Sequence, residues 1–143
     1  MRGFTLIEII IAISIFSVLI ALGLLMSMET FRGTIYRSET ATIISLFEKA
    51  RSRAMNNINQ SPWGVCYLAP NYVIFKGTSC ISSAVTDSIE ANAGVALASN
   101  FSSTFPTVAF TQLSGTTTGG AFTVQQDART SPITINYEGT IIW

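Results

Sequence analysis

From Ile9 to Met28 the chain carries no charged side chain, and only Ser14, Ser17, Gly23 and Ser27 interrupt the apolar run. About 20 apolar residues cross a bilayer as a helix, and a core helix of a soluble protein would keep a polar face that this stretch lacks. The pattern predicts a transmembrane helix over 4–28. Beyond it the apolar positions become periodic. Tyr36, Thr40, Ile43, Phe47, Ala50, Ala54 and Ile58 recur at steps of three or four, while Ser45, Glu48, Lys49 and Ser52 fall on the opposite side. That stripe predicts an amphipathic helix over 29–58 that lays one face on a folded head. Asn56-Asn57 and the following Asn59-Gln60-Ser61-Pro62 end it. A helix from Phe4 to about Asn57 would be roughly 80 Å long at 1.5 Å per residue.

After Pro62 the pattern changes to short β-branched and aromatic runs. Trp63–Leu68 and Tyr72–Lys76, joined by Ala69-Pro70-Asn71, predict a hairpin. Ala93–Ala98 is a short apolar piece, and Thr107–Phe110 and Ala121–Val124 read as strands. Ser114–Gly120 contains only Ser, Thr and Gly and reads as a flexible loop. Ile133–Tyr137 leads through Glu138-Gly139 into Thr140–Trp143 as a terminal hairpin. The predicted fold class is α+β: a long N-terminal helix, half transmembrane and half amphipathic, packed on an antiparallel β-sheet head that occupies 59–143.

Composition narrows the chemistry. Apolar residues make up 48% of the chain and charged residues 11%, with eight basic and eight acidic side chains, so no bulk field steers nucleic acid or anionic lipid. The chain has no histidine, which removes the commonest general base and metal ligand. No nucleophile–base pair or paired carboxylates stand out; Asp87 and Glu90 fall in a polar loop, and Asp127 and Glu138 are isolated. An enzymatic role, a cofactor and a metal site are therefore not expected. Asp127 alone cannot supply the six to eight oxygens of a calcium site. Cys66 and Cys80 are too few for structural zinc and read as one disulfide of an exported domain. Arg51, Arg53 and Lys76, with Lys49, are the candidate basic patch for nucleic acid. Read without that role, they lie on a solvated helix face.

The amino terminus is more specific. Only Met1, Arg2 and Gly3 precede the apolar run, with no Ala-x-Ala site after it, so the segment does not look like an ordinary cleaved secretory signal. A single carboxylate, Glu8, interrupts Phe4-Thr5-Leu6-Ile7 and Ile9-Ile10-Ile11-Ala12. A charge at such a depth costs a few kcal/mol and is a functional-site hypothesis.

Gly3-Phe4-Thr5-Leu6-Ile7-Glu8 resembles the processing site of type IV prepilins and type II secretion pseudopilins, in which a glycine precedes phenylalanine and glutamate is the fifth residue from the cut. The head favours a subfamily. Ala50-Arg51-Ser52-Arg53-Ala54, Gly64-Val65-Cys66, Tyr72–Gly77 and Ile133–Gly139 are similar to minor pseudopilins of the GspH/FimT type. Some members carry arginines after the final glycine, where this chain has Thr140, Ile141 and Ile142.

The resemblance implies a leader over 1–3, cleavage between Gly3 and Phe4 by a prepilin peptidase, and N-methylation of Phe4. It implies that Glu8 meets the positively charged amine of a neighbouring subunit, a pairing that removes most of the cost of a carboxylate in hydrocarbon. The implied partners are other pilin or pseudopilin subunits and an inner-membrane assembly platform. The implied location is the bacterial inner membrane with a cytoplasmic N-terminus and an extracytoplasmic head, then the filament. Arg32 and Arg37 beyond the span, against Arg2 alone before it, run against the positive-inside rule. Two rival roles follow from the same resemblance: a DNA-capturing competence pilin, and the major subunit of a type IV pilus. Neutral net charge argues against nucleic acid.

Overall fold

The computed structural model describes residues 5–81, 84–92, 105–126 and 128–143. Gly3, Phe4, the piece Ala93–Ala98 and Asp127 lie outside the described residues. The chain divides into two units, Met1–Ile35 and Tyr36–Trp143.

The first unit is helical. Helix α1 runs from Leu6 to Met55 and continues into the second unit. Every side chain from Thr5 to Gly23 is exposed, and Leu6–Gly23 is long and apolar enough to cross a membrane. The side-chain hydroxyls of this stretch turn inward on the backbone. Ser14 Oγ donates to the Ile10 carbonyl at 2.8 Å and Ser17 Oγ to the Ser14 carbonyl at 2.8 Å. Short hydroxyls can thus be satisfied without water, which is what a helix in lipid requires.

The second unit begins with the last turns of α1, Tyr36–Met55, whose buried stripe follows the predicted spacing. Tyr36, Ile43, Phe47, Ala50 and Ala54 are buried, and Ser45, Glu48, Lys49 and Ser52 are exposed. The stripe is wider than expected, since Glu39, Ile44 and Leu46 are also buried. Ile58 departs from it: the α-helix has ended, a 3-10 turn spans Ile58–Gln60, and the Ile58 side chain is exposed.

Two antiparallel sheets, not the single expected one, complete the head. One has four strands in the order β3-β2-β1-β4, with β1 Trp63–Leu68, β2 Asn71–Lys76, β3 Val85–Glu90 and β4 Val108–Phe110. The other orders β5 Gly120–Gln126, β6 Arg129–Ile135 and β7 Ile141–Ile142 in sequence. The expected β1–β2 hairpin forms in a continuous register from Trp63↔Lys76 to Leu68↔Asn71. The expected terminal hairpin pairs Ile135 with Ile141. Asp87 and Glu90 are not in a loop. They belong to β3, which completes the β2 edge with Ile74↔Asp87 and Asn71↔Glu90 opposed.

An aromatic cluster joins these parts. Phe47 of α1 lies 5.8 Å from the rings of both Phe105 and Phe122, and Phe105 lies 4.8 Å from Phe122 and 5.5 Å from Tyr72. Such contacts add to the apolar area they remove from water. Gly64 shows why the first sheet needs a glycine at its centre. A Cβ there would collide with the Phe75 ring and the Val108 carbonyl of the flanking strands.

Candidate functional site

The N-terminal segment is a helix start built around Glu8. Thr5 precedes the first helical residue and Glu8 follows three positions later, the Ser/Thr-x-x-Glu spacing of a capping box. The Thr5 backbone N–H donates to Glu8 Oε2 at 3.1 Å and its hydroxyl donates to the same oxygen at 3.0 Å. The carboxylate therefore sits at the positive end of the helix dipole with two local donors. Within the described residues it is the only charged group between Thr5 and Met28. The other faces of the segment are hydrocarbon, so its chemistry is that of one anion on an apolar rod. The flanking Gly3 and Phe4 lie outside the described residues.

In the head, Cys66 and Cys80 form the expected disulfide, with Cα atoms 6.4 Å apart. Cys66 belongs to β1 and packs with Val73 and Phe75 on the face of the first sheet, where Cys80, Ala84, Val85 and Ala109 close over it.

The three basic residues nominated for nucleic acid do not converge. Arg53 Nη2 and Lys49 Nζ both reach Asp87 Oδ2, at 2.6 and 3.1 Å, and the Arg53 guanidinium lies 4.9 Å from the centre of the Trp63 ring. Arg51 Nη2 donates to the Glu138 carbonyl at 3.0 Å. Lys76 is exposed at the end of β2. Arg53 is thus a tie between α1 and β3, not part of a solvated helix face. Partial burial pushes the Asp87 carboxyl up, but the Lys49 and Arg53 cations outweigh it and hold the carboxyl below its ordinary value.

One buried polar group was not anticipated. Glu39, on the stripe of α1, is buried and accepts a hydrogen bond from the Asn92 backbone N–H at 3.0 Å. The Tyr72 hydroxyl is pushed far above its ordinary pKa, first by burial and then by the Glu39 carboxylate. Nearby in sequence, the Tyr36 hydroxyl lies 2.7 Å from Ser131 Oγ and 3.3 Å from the Val124 carbonyl. The signal for Glu39 was its spacing: three residues after Tyr36 and four before Ile43 place it on the buried face. These groups bind elements together. Among the described residues no three His, Cys, Asp or Glu side chains are placed to hold a metal.

The family described as type II transport protein GspH matches residues 39–139, more than half of the chain. The prokaryotic N-terminal methylation motif matches residues 1–24. No curated protein and no solved structure matches. The second match takes in the Thr5–Glu8 cap and the exposed apolar turns of α1, and the first takes in the amphipathic turns of α1 and nearly all of the two-sheet head. The chain belongs to the type II transport protein GspH family, and is a pilin-like pseudopilin subunit that begins with a prokaryotic N-terminal methylation motif.

Proposed function

We propose that the protein is a structural minor pilin or pseudopilin of a type II secretion or type IV pilus filament, with no catalytic activity of its own. A prepilin peptidase cuts between Gly3 and Phe4 and the new amine of Phe4 is methylated. The subunit waits in the bacterial inner membrane, with its N-terminus cytoplasmic and its head extracytoplasmic. The assembly platform then moves it into the filament, where α1 lies among the helices of other subunits. The observation that carries this reading is an exposed apolar helix with a single carboxylate at the fifth position from the expected cut. Among the described residues that carboxylate accepts from the Thr5 N–H and hydroxyl. Beside another subunit it meets a cationic amine, and a charge-assisted pair is about twice as strong as a neutral hydrogen bond. Assembly is thereby favoured over dispersal, and the pairing sets the register between subunits.

The test separates processing from assembly. The mature protein should lack Met1 to Gly3 and gain one methyl group by intact mass. Glu8→Ala should leave that mass change in place, apart from the substitution, while incorporation into sheared filaments falls. Normal incorporation of Glu8→Ala would remove the pairing mechanism. An unprocessed start at Met1 in a peptidase-competent cell would remove the filament role.

A further inference from the structure

The stretch Ser114–Gly120, which reads from the sequence as a flexible loop, is pinned by hydrogen bonds. The Thr111 N–H donates to the Thr116 carbonyl at 2.7 Å, and the Gly115 N–H to the Thr111 carbonyl at 2.9 Å. The Thr117 N–H donates to the Tyr137 carbonyl at 3.0 Å, and the Leu113 N–H to the Ala54 carbonyl at 2.9 Å. Gly119 takes left-handed backbone at φ 78°, and a Cβ there would press on the Ile135 carbonyl, so the position suits glycine alone. Tied in this way to α1 and to the turn after β6, the loop forms one wall of a cavity in the head.

That cavity, of about 560 Å³, falls in the size range of small-molecule sites. Six of the ten residues around it are threonines, at 78, 107, 111, 116, 117 and 118, and none of the ten is charged. The strand period places Thr107, Ala109 and Thr111 on one face of β4 and its flanks, while Val108 and Phe110 point into the core. Thr78, Thr107, Thr111 and Thr118 are exposed. Tyr137 lines the same space and is 76% exposed. Thr117 is different: it is only 8% exposed, and its hydroxyl has no hydrogen-bond partner among the described residues.

We propose that this cavity binds a neutral carbohydrate, with Tyr137 against the C–H face of a sugar ring and the threonine hydroxyls on its hydroxyl edge. The lining decides the class of ligand. A phosphate or carboxylate would call for a cation in the wall, and a metal ion for carboxylate, thiolate or imidazole ligands. The wall has none of these. A purely apolar molecule would strip water from the threonines without replacing its hydrogen bonds, which is costly. A peptide added to a sheet is held by backbone hydrogen bonds, and the loop N–H groups of Thr111 and Thr117 are already engaged within the fold.

A neutral sugar matches both halves of the wall. Its hydroxyls donate and accept, as each threonine hydroxyl does. Its C–H faces exclude water from an aromatic ring and from threonine methyl groups. Thr117 adds a further contact. A threonine hydroxyl turns about a single bond, so a bound sugar hydroxyl gives this buried group the partner that the fold leaves out. The site is independent of the filament role.

The test is binding by the full chain in a polyoxyethylene detergent, whose headgroup carries no sugar. The probes are maltotriose, cellotriose and triacetylchitotriose, compared with the charged sugar trigalacturonate and a capped trialanine peptide. Saturation-transfer NMR and calorimetry read the binding. At least one of the three neutral sugars should bind with a millimolar or tighter Kd, and the two comparison ligands more weakly. Tyr137→Ala should weaken that binding about tenfold and leave the melting temperature unchanged. Thr107→Val and Thr111→Val keep a branched side chain at exposed positions, and each should weaken binding about threefold to tenfold. Ile89→Ala, on β3 at the opposite edge of the first sheet, should leave it unchanged. Failure of all three neutral sugars to bind overturns the proposal, as does a preference for trigalacturonate or the peptide. Sugar binding that survives both Tyr137→Ala and the paired threonine substitutions overturns it too. None of these results bears on processing or filament entry, which intact mass and sheared filaments read separately.

Discussion

Asp87 shows how a polar position that reads as loop in the sequence becomes a structural tie. Its Oδ2 receives Arg53 from one turn of α1 and Lys49 from the turn before, and these residues are spaced i, i+4 on one helix face. The two pairs are not equivalent. The Lys49 side chain is 52% exposed and that of Arg53 only 21%, so solvent screens the lysine more and the arginine supplies most of the attraction. Asp87→Asn should lower the stability of the full chain in detergent by about 0.5–1 kcal/mol near neutral pH, the range for partly exposed pairs. The sign with pH follows from the lowered carboxyl. Its contribution is fully present above the unfolded value of about 3.9 and is lost as pH falls through the folded one. Thermal unfolding of both chains from pH 7 downward checks this. Their melting temperatures should differ at pH 7, keep that difference down to about pH 4 and converge only as pH falls further, through the lowered folded value. An unchanging gap would assign the effect to packing instead of charge. Glu39 is the converse case, a carboxylate whose helical spacing placed it inside although its chemistry suggested outside.

The elements differ in how plainly they stand in the sequence. The hairpin β1–β2 was legible because Tyr72–Phe75 are apolar and β-branched or aromatic, and a Pro-Asn turn separates them from Trp63–Leu68. β3 was not, because Val85-Thr86-Asp87-Ser88-Ile89-Glu90 is mostly polar. It is an edge strand held by its ladder to β2, by Thr86 Oγ1 donating to the Ile74 carbonyl at 3.0 Å, and by the Asp87 pairs. β6 was read too short for a related reason. Pro132 stands inside it, which normally argues against a central strand, yet β7 pairs only with Thr134 and Ile135 and leaves Pro132 on an open stretch. The split into two sheets depends on β4 returning to pair with β1, a long-range choice that no local pattern encodes. The disulfide acts at this scale, tying β1 to the segment after β2 across a separation of 14 residues. On the chain-entropy view a closed loop of about 15 residues is worth roughly 3 kcal/mol. Denaturant unfolding of the full chain in detergent, with and without reductant, should show a loss of about 2–4 kcal/mol. Thiol labelling of native protein should find no free thiol before reduction and two after it. Two free thiols in protein taken from its own compartment would refute the bond.

For the whole molecule the sharpest division is between a filament subunit that binds proteins and one that captures DNA. DNA affinity is largely counterion release, and each phosphate contact needs a basic group aimed at it. Beyond Gly3 the basic residues are Arg32, Arg37, Lys49, Arg51, Arg53, Lys76 and Arg129. Arg32 and Arg37 lie a few residues past the apolar span. Lys49 and Arg53 are engaged with Asp87, and Arg51 donates to the Glu138 carbonyl. Lys76 ends β2 and Arg129 begins β6, strands of different sheets. After Gly139 come Thr140 and the strand Ile141–Ile142, none of them basic. We therefore expect no salt-dependent binding of duplex DNA by the full chain in neutral detergent. Titration with labelled duplex at low and moderate salt reads it, because genuine phosphate contacts weaken steeply as salt rises. Micromolar binding at physiological salt, abolished when Arg51, Arg53 and Lys76 are neutralised, would transfer the protein to the competence role. In that event the cations must leave Asp87 and the Glu138 carbonyl to reach phosphate, so Asp87→Asn should strengthen DNA binding while it weakens the fold.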